Sequence, residues 1–105
     1  MKKRNISIPQ QELAAFCRKW KISKLSLFGS VLRDDFRPDS DVDVLVSFLD
    51  EAQWRLFDLI HMEEELSAML GRKADLVDRR SVEASRNYIR RRHILSSLEQ
   101  VYVAG

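Results

Sequence analysis

Three aspartates stand in apolar stretches and are the residues most able to carry chemistry. Asp41 and Asp43 alternate with valines over residues 41–48, and this period of two predicts a strand. Their side chains then leave the same face, with Cα atoms roughly 7 Å apart. Asp75 lies in a second short apolar stretch, residues 74–77. Like charges repel, a bound cation relieves the repulsion, and carboxylate oxygens suit Mg²⁺. We therefore expect these three aspartates to be catalytic residues and metal ligands.

A pair of Mg²⁺ ions on such a cluster would hold a triphosphate and stabilise the leaving pyrophosphate, while one aspartate helps to activate the attacking hydroxyl. Asp78 is a weaker candidate than Asp75 for the third carboxylate, because two arginines follow it in what the sequence predicts to be a turn. An alternative stays open for Asp41 and Asp43: the pair could lie at an exposed strand end, or begin in the preceding loop.

Gly29 and Ser30 form a candidate phosphate-binding turn. They follow an apolar run, residues 24–28, and precede what the sequence predicts to be a helix start. The first turn of a helix exposes unpaired N–H groups, and a glycine lets a phosphate approach the backbone closely. Gly-Ser at a strand end is, however, more often only a turn. Arg33 is one turn further on, where it could contact a phosphate or form a salt bridge with a neighbouring aspartate.

The remaining patterns predict the elements that position these residues. Helices are predicted at about 9–21, 53–70 and 82–95, with Ser81 capping the last, and strands at 24–28, 41–48 and 74–77, followed by a short 101–103 segment. Strands separated by helices predict an α/β fold, a small mixed β-sheet packed with helices. With 105 residues, we expect a single domain spanning positions 1–105.

Composition and charge bear on nucleic-acid binding, membrane insertion and cellular location. A net charge of +2 is too small to argue for direct nucleic-acid binding, and no apolar run is long enough for a membrane span. The single cysteine, Cys17, excludes an internal disulfide and is predicted to be buried, and no signal peptide is predicted, so a cytoplasmic location is expected. His61 and His93 lack partners at metal-ligand spacing.

For two sets of side chains, the sequence leaves two interpretations open. Trp54 and Phe57 are expected in the core, with a partner-facing patch as the alternative, and Leu56 is expected on the buried stripe of its helix. A dense basic region is expected to be mostly solvated, with contact between one member and a phosphate or partner as the alternative. It comprises Arg79, Arg80, Arg86, Arg90, Arg91 and Arg92.

Spacing around the candidate site resembles a known family. Gly29-Ser30, ten intervening residues and then Asp41-Val42-Asp43 match the G-S-x10-D-x-D signature of the minimal nucleotidyltransferases, small members of the DNA polymerase β superfamily. The third acidic residue of that family corresponds to Asp75. The similarity covers nearly the whole chain, and no signature position departs from the pattern.

The resemblance implies a polymerase β-like nucleotidyltransferase fold and an antitoxin encoded beside a HEPN-domain ribonuclease toxin. Such antitoxins transfer AMP from ATP to a tyrosine of the toxin, with which they form a hetero-oligomer. Gly29, Ser30, Arg33 and Ser40 are the nucleotide-binding residues that it implies. The rival hypothesis is a catalytically silent binding module that occludes the toxin, and a third is an enzyme that adenylylates a small molecule or an RNA end.

Overall fold

The helices and strands follow the predicted order along the chain, except that the last predicted helix is two helices. A computed structural model describes residues 6–32, 37 and 40–104. The helices are α1 (Gln10–Lys19), α2 (Leu56–Leu70), α3 (Arg79–Glu83) and α4 (Tyr88–Ser96), and the strands are β1 (Ile22–Phe28), β2 (Val42–Phe48), β3 (Ala74–Asp78) and β4 (Glu99–Val103). A single 3₁₀ turn, Gly29–Leu32, follows β1.

The four strands form one mixed sheet in the order β3-β2-β1-β4. β1 pairs antiparallel with both β2 and β4, whereas β2 and β3 are parallel because α2 crosses over between them. The end of β1 and the starts of β2 and β3 therefore meet at one end of the sheet. This is the end that carries the glycine and the aspartates of the predicted site.

Each face of the sheet packs against a different apolar cluster. Val42, Val44 and Val46 of β2 are fully buried in the main core, which also contains residues of α1 and α2. Leu45 points to the opposite face and packs with Val82 and Ile94 in a smaller cluster. Cys17 is buried in the main core, as predicted, and burial raises the pKa of its thiol to about 12. In the part of the chain described, no helix is long and apolar enough to cross a bilayer.

The predicted helix over 82–95 is wrong as a single element. It is two helices, because Asp78 caps α3 by accepting a hydrogen bond from the N–H of Arg80, and Asn87 caps α4 by accepting one from Arg90. Ser81, predicted as the cap, lies inside α3.

The beginning of α2 is more exposed than its pattern predicts. Leu56 is 70% exposed and Phe57 is 76% exposed, so the expectation that they belong to the core is wrong. Trp54 is partly buried instead, where its indole N–H donates to the carbonyl of Trp20 at 2.7 Å and the two rings pack edge to face. The buried stripe of α2 begins one turn later, with Leu59 and Met62.

Candidate active site

The three predicted aspartates share one face of the sheet. Asp43 of β2 and Asp75 of β3 are register partners, so their side chains leave neighbouring strands on the same side. Asp41 lies two residues before Asp43, just ahead of β2, and its carboxyl group is hydrogen-bonded to that of Asp75. The backbone N–H of the intervening Val42 donates to the carbonyl of Lys73 at 2.9 Å and so fastens the two strand starts together.

Among the described residues, the charges around Asp75 are mainly negative. Burial raises the pKa of Asp75, the negative charges of Asp41 and Glu63 raise it further, and Lys73 acts in the opposite direction. A hydrogen bond between two carboxyl groups also favours the protonated form, since one of them must donate. The cluster therefore gains from an added positive charge, whether a proton or a cation.

Gly29 meets the carboxylate of Asp43 at the end of β1. Phe28 is the register partner of Asp43, which brings the following turn over that side chain. Gly29 has a φ of +77°, and a Cβ built on it would collide with Oδ2 of Asp43 and lie 3.4 Å from its Cγ. The position therefore requires glycine for two reasons, a left-handed backbone and close approach to a carboxylate.

Carboxylate oxygens are the donor type that Mg²⁺ selects, so the residues fit this ion chemically. Asp41 and Asp75 are in contact, while Asp43 packs against Gly29. Among the described side chains, no three His, Cys, Asp or Glu residues are gathered tightly enough to form a ready-made metal site. Drawing the three carboxylates onto one ion therefore requires their side chains to rotate from these positions.

The structure describes only some of the other predicted nucleotide-binding residues. Ser30 belongs to the 3₁₀ turn rather than to an α-helix start, and its side chain, like all of Arg33, lies outside the described residues. Ser40 shapes the turn that leads into Asp41: its N–H donates to the carbonyl of Arg37, and its hydroxyl accepts from the N–H of Arg37, both at 3.0 Å. Nucleotide binding by these residues stays a prediction.

A cleft that sequence reasoning missed borders Gly29. Its volume is about 440 Å³, within the usual range for small-molecule sites. The end of α4 forms one wall and the turn after β1 forms the other, and the lining residues are Phe28, Gly29, Leu32, His93, Ser96, Ser97 and Leu98. More than sixty positions separate the two walls in sequence, so no local pattern could have joined them.

Comparison with known proteins decides the family. Residues 11–101, nearly the whole chain, match the nucleotidyltransferase domain family. The chain belongs to this family. This nucleotidyltransferase domain is 38% identical over 66 residues to the protein adenylyltransferase MntA of Thermococcus cleftensis, a match that covers 63% of this chain and 65% of the relative. The similarity thus spans a little less than two thirds of the relative's length.

Solved structures share the fold. One is a toxin–antitoxin crystal structure with AMP-PNP, which matches with a TM-score of 0.69 at 18% identity over 92% of this chain and 75% of that one. Another is a tri-AMPylated HEPN toxin of Shewanella oneidensis in complex with an MNT antitoxin, with a TM-score of 0.61 at 18% identity over 90% and 70% of the two chains. At this identity the likeness establishes the minimal nucleotidyltransferase fold, as the sequence predicted.

Proposed function

We propose that this nucleotidyltransferase domain is an antitoxin that transfers AMP from ATP to a tyrosine of a HEPN-type ribonuclease toxin and so inactivates it. The observation that carries the proposal is the meeting of Asp41, Asp43 and Asp75 on one sheet face beside Gly29. The related adenylyltransferase and the fold shared with toxin–antitoxin complexes support the choice of nucleotide and acceptor.

ATP would bind across the end of the sheet. Backbone N–H groups of the turn that begins at Gly29 would receive the outer phosphates, because a side chain is absent there. The cleft between this turn and α4 has room for the nucleoside, with Phe28 and Leu98 as apolar surface and His93 as a polar contact.

Asp41, Asp43 and Asp75 would hold Mg²⁺, with two ions as the expected number. When bound, Mg²⁺ supplies positive charge that neutralises the triphosphate and stabilises the leaving pyrophosphate. The contact between Asp75 and Asp41 supports metal binding, because a bound cation would offset the repulsion between the two carboxylates. The same cluster also repels bare ATP, so nucleotide affinity should depend on the metal.

The chain's own residues would orient and deprotonate the acceptor. The tyrosine oxygen attacks the α-phosphorus, the bond from that phosphorus to its bridging oxygen breaks, and pyrophosphate departs with the electron pair. Asp75 would accept the tyrosine proton as the general base. A tyrosyl AMP adds negative charge and bulk, which repels and obstructs an RNA phosphate backbone.

Transfer of label tests the proposal. The purified chain is incubated with its HEPN partner and ATP labelled at the α-phosphate, in Mg²⁺ or in EDTA. We expect label on the partner only with Mg²⁺, and its loss with Asp43→Ala. Asp50→Ala is the matched control, since Asp50 is exposed and forms only a 3.8 Å ion pair with Arg80. An unlabelled partner whose ribonuclease activity is nevertheless suppressed would favour the occluding binding module.

A further inference from the structure

The strand that carries Asp75 is an edge strand. β3 pairs with β2 on one side only, because it stands at the end of the sheet order. The backbone N–H groups of Ala74 and Leu76, on either side of Asp75, point away from β2. An unpartnered edge leaves such donors free and lets a strand shift or pair with another chain. In β3, both of these N–H groups donate hydrogen bonds to side chains of α2.

Two side chains of α2 supply the missing acceptors. The hydroxyl of Ser67 accepts from the N–H of Ala74 at 2.9 Å, and Oε2 of Glu63 accepts from the N–H of Leu76 at 2.9 Å. The Ser67 hydroxyl in turn donates to the carbonyl of Glu63 at 2.7 Å. Each of these three hydrogen bonds therefore has a definite donor and acceptor.

The spacing of the two acceptors matches the spacing of the two donors. Glu63 and Ser67 are four residues apart on a helix, a rise of about 6 Å. Ala74 and Leu76 are two residues apart on a strand, a distance of about 6.6 Å. One turn of α2 thus accepts the hydrogen bonds that a fifth strand would accept, from the backbone on both sides of Asp75.

We propose that Glu63 and Ser67 are positioning residues that hold the backbone of Asp75 where its carboxylate serves the transfer reaction. This inference rests on the proposed function. The hydrogen bonds of both side chains act on Asp75 through β3, and the negative charge of Glu63 also acts on Asp75 directly. The bond from Glu63 is charge-assisted and stronger than a neutral one, which makes it the principal restraint on the strand. The alternative role is edge protection alone, in which the two side chains only satisfy the N–H groups of β3. Loss of a positioning residue lowers kcat, whereas loss of a residue that only protects the edge does not.

Four variants of the full chain separate these roles. Glu63→Ala and Ser67→Ala remove the acceptors, Glu63→Gln keeps an acceptor oxygen without the charge, and Glu64→Ala removes a neighbouring exposed carboxylate as the matched control. Transfer of AMP to the HEPN partner is measured well below the melting midpoint of every variant. Hydrogen exchange at the amide of Leu76 reports whether the bond has been lost.

Glu63→Ala should lower kcat by about tenfold to a hundredfold, as expected when a catalytic group is displaced by up to about 1 Å. The KM for ATP should change less than about twofold, since the nucleotide's own contacts are intact. Leu76 should exchange faster. Ser67→Ala should show a smaller loss of kcat, Glu63→Gln should recover most of the wild-type kcat, and Glu64→Ala should match wild type throughout.

Two results would overturn the inference while the proposed function stands. One is a wild-type kcat for Glu63→Ala despite faster exchange at Leu76, which would leave edge protection as the whole role. The other is a Glu63→Gln variant as slow as Glu63→Ala, because the hydrogen bond would then not be the cause. A wild-type chain that transfers no AMP would instead defeat the proposed function itself.

Discussion

Replacing Gly29 by alanine tests how the glycine and Asp43 depend on each other. The new Cβ would stand at a φ of +77° and collide with Oδ2 of Asp43. Gly71 offers a matched control at the end of α2, because its φ is +72° and the structure describes no atom within 4 Å of the corresponding Cβ position. Gly71→Ala therefore carries the same backbone strain without the collision.

The strain sets the expected loss of stability. An L-residue in the left-handed region costs about 1–2 kcal/mol, and each kcal/mol lowers the Tm of a domain of this size by roughly 4–8 °C. Both variants should lose at least this much. Gly29→Ala must in addition displace the Asp43 carboxylate, and a shift of about 1 Å at a catalytic group costs about 100-fold in rate.

Melting curves and AMP-transfer rates on the same preparations check the prediction. Gly71→Ala should melt lower and retain wild-type kcat, whereas Gly29→Ala should melt lower and lose about two orders of magnitude in transfer. The reasoning is refuted if folded Gly29→Ala transfers AMP at the wild-type rate. It is equally refuted if Gly71→Ala loses as much activity as Gly29→Ala, because strain alone would then explain the loss.

Four further outcomes follow. Asp43→Ala should lower transfer at least about 100-fold, in a variant whose cooperative melt by calorimetry shows that the fold survives. Asp75→Asn should raise the Tm at neutral pH. Because the pKa of Asp75 is raised in the folded state, its contribution to stability is fully present below the unfolded pKa of 3.8 and is lost as the pH rises through the folded-state pKa. The rise in Tm caused by Asp75→Asn should therefore shrink in melts toward pH 4. Lys21→Gly should raise the Tm by a few degrees, since Lys21 has a φ of +56°. His93→Ala should raise the KM for ATP about fivefold, equivalent to a contact of about 1 kcal/mol, at constant kcat.

Alternation and helical periodicity were sufficient to predict most of the fold. The valines of β2 are buried on one face and Asp43 and Leu45 lie on the other, as the period of two required. Boundaries were less accurate: β1 begins at Ile22, and α2 begins at Leu56, because neither start is marked by a change in apolar pattern. The break between α3 and α4 coincides with the Asn87 cap, a local hydrogen bond to the N–H of Arg90 that apolar periodicity does not record.

The candidate site, like the fold, was predicted from the sequence only in part. Strand periodicity predicted the common face of Asp41 and Asp43, whereas the pairing of Asp43 with Asp75 depends on the register of β2 against β3. The contact of Gly29 with Asp43 depends on the register of β1 against β2, and the cleft beside His93 depends on how α4 packs. The hydrogen bond of Glu63 could not be predicted from the sequence, since only the tertiary structure brings its carboxylate to the N–H of Leu76.

Intact-mass spectrometry of the partner tests the central claim most directly. The HEPN-type toxin is incubated with this chain, ATP and Mg²⁺, and its mass and ribonuclease activity are then measured, with Asp43→Ala and Asp50→Ala chains in parallel. The account predicts one or more AMP increments on a toxin tyrosine and loss of ribonuclease activity with wild type and Asp50→Ala, and neither with Asp43→Ala. An unmodified toxin that both the wild-type and the Asp43→Ala chains still suppress would contradict it.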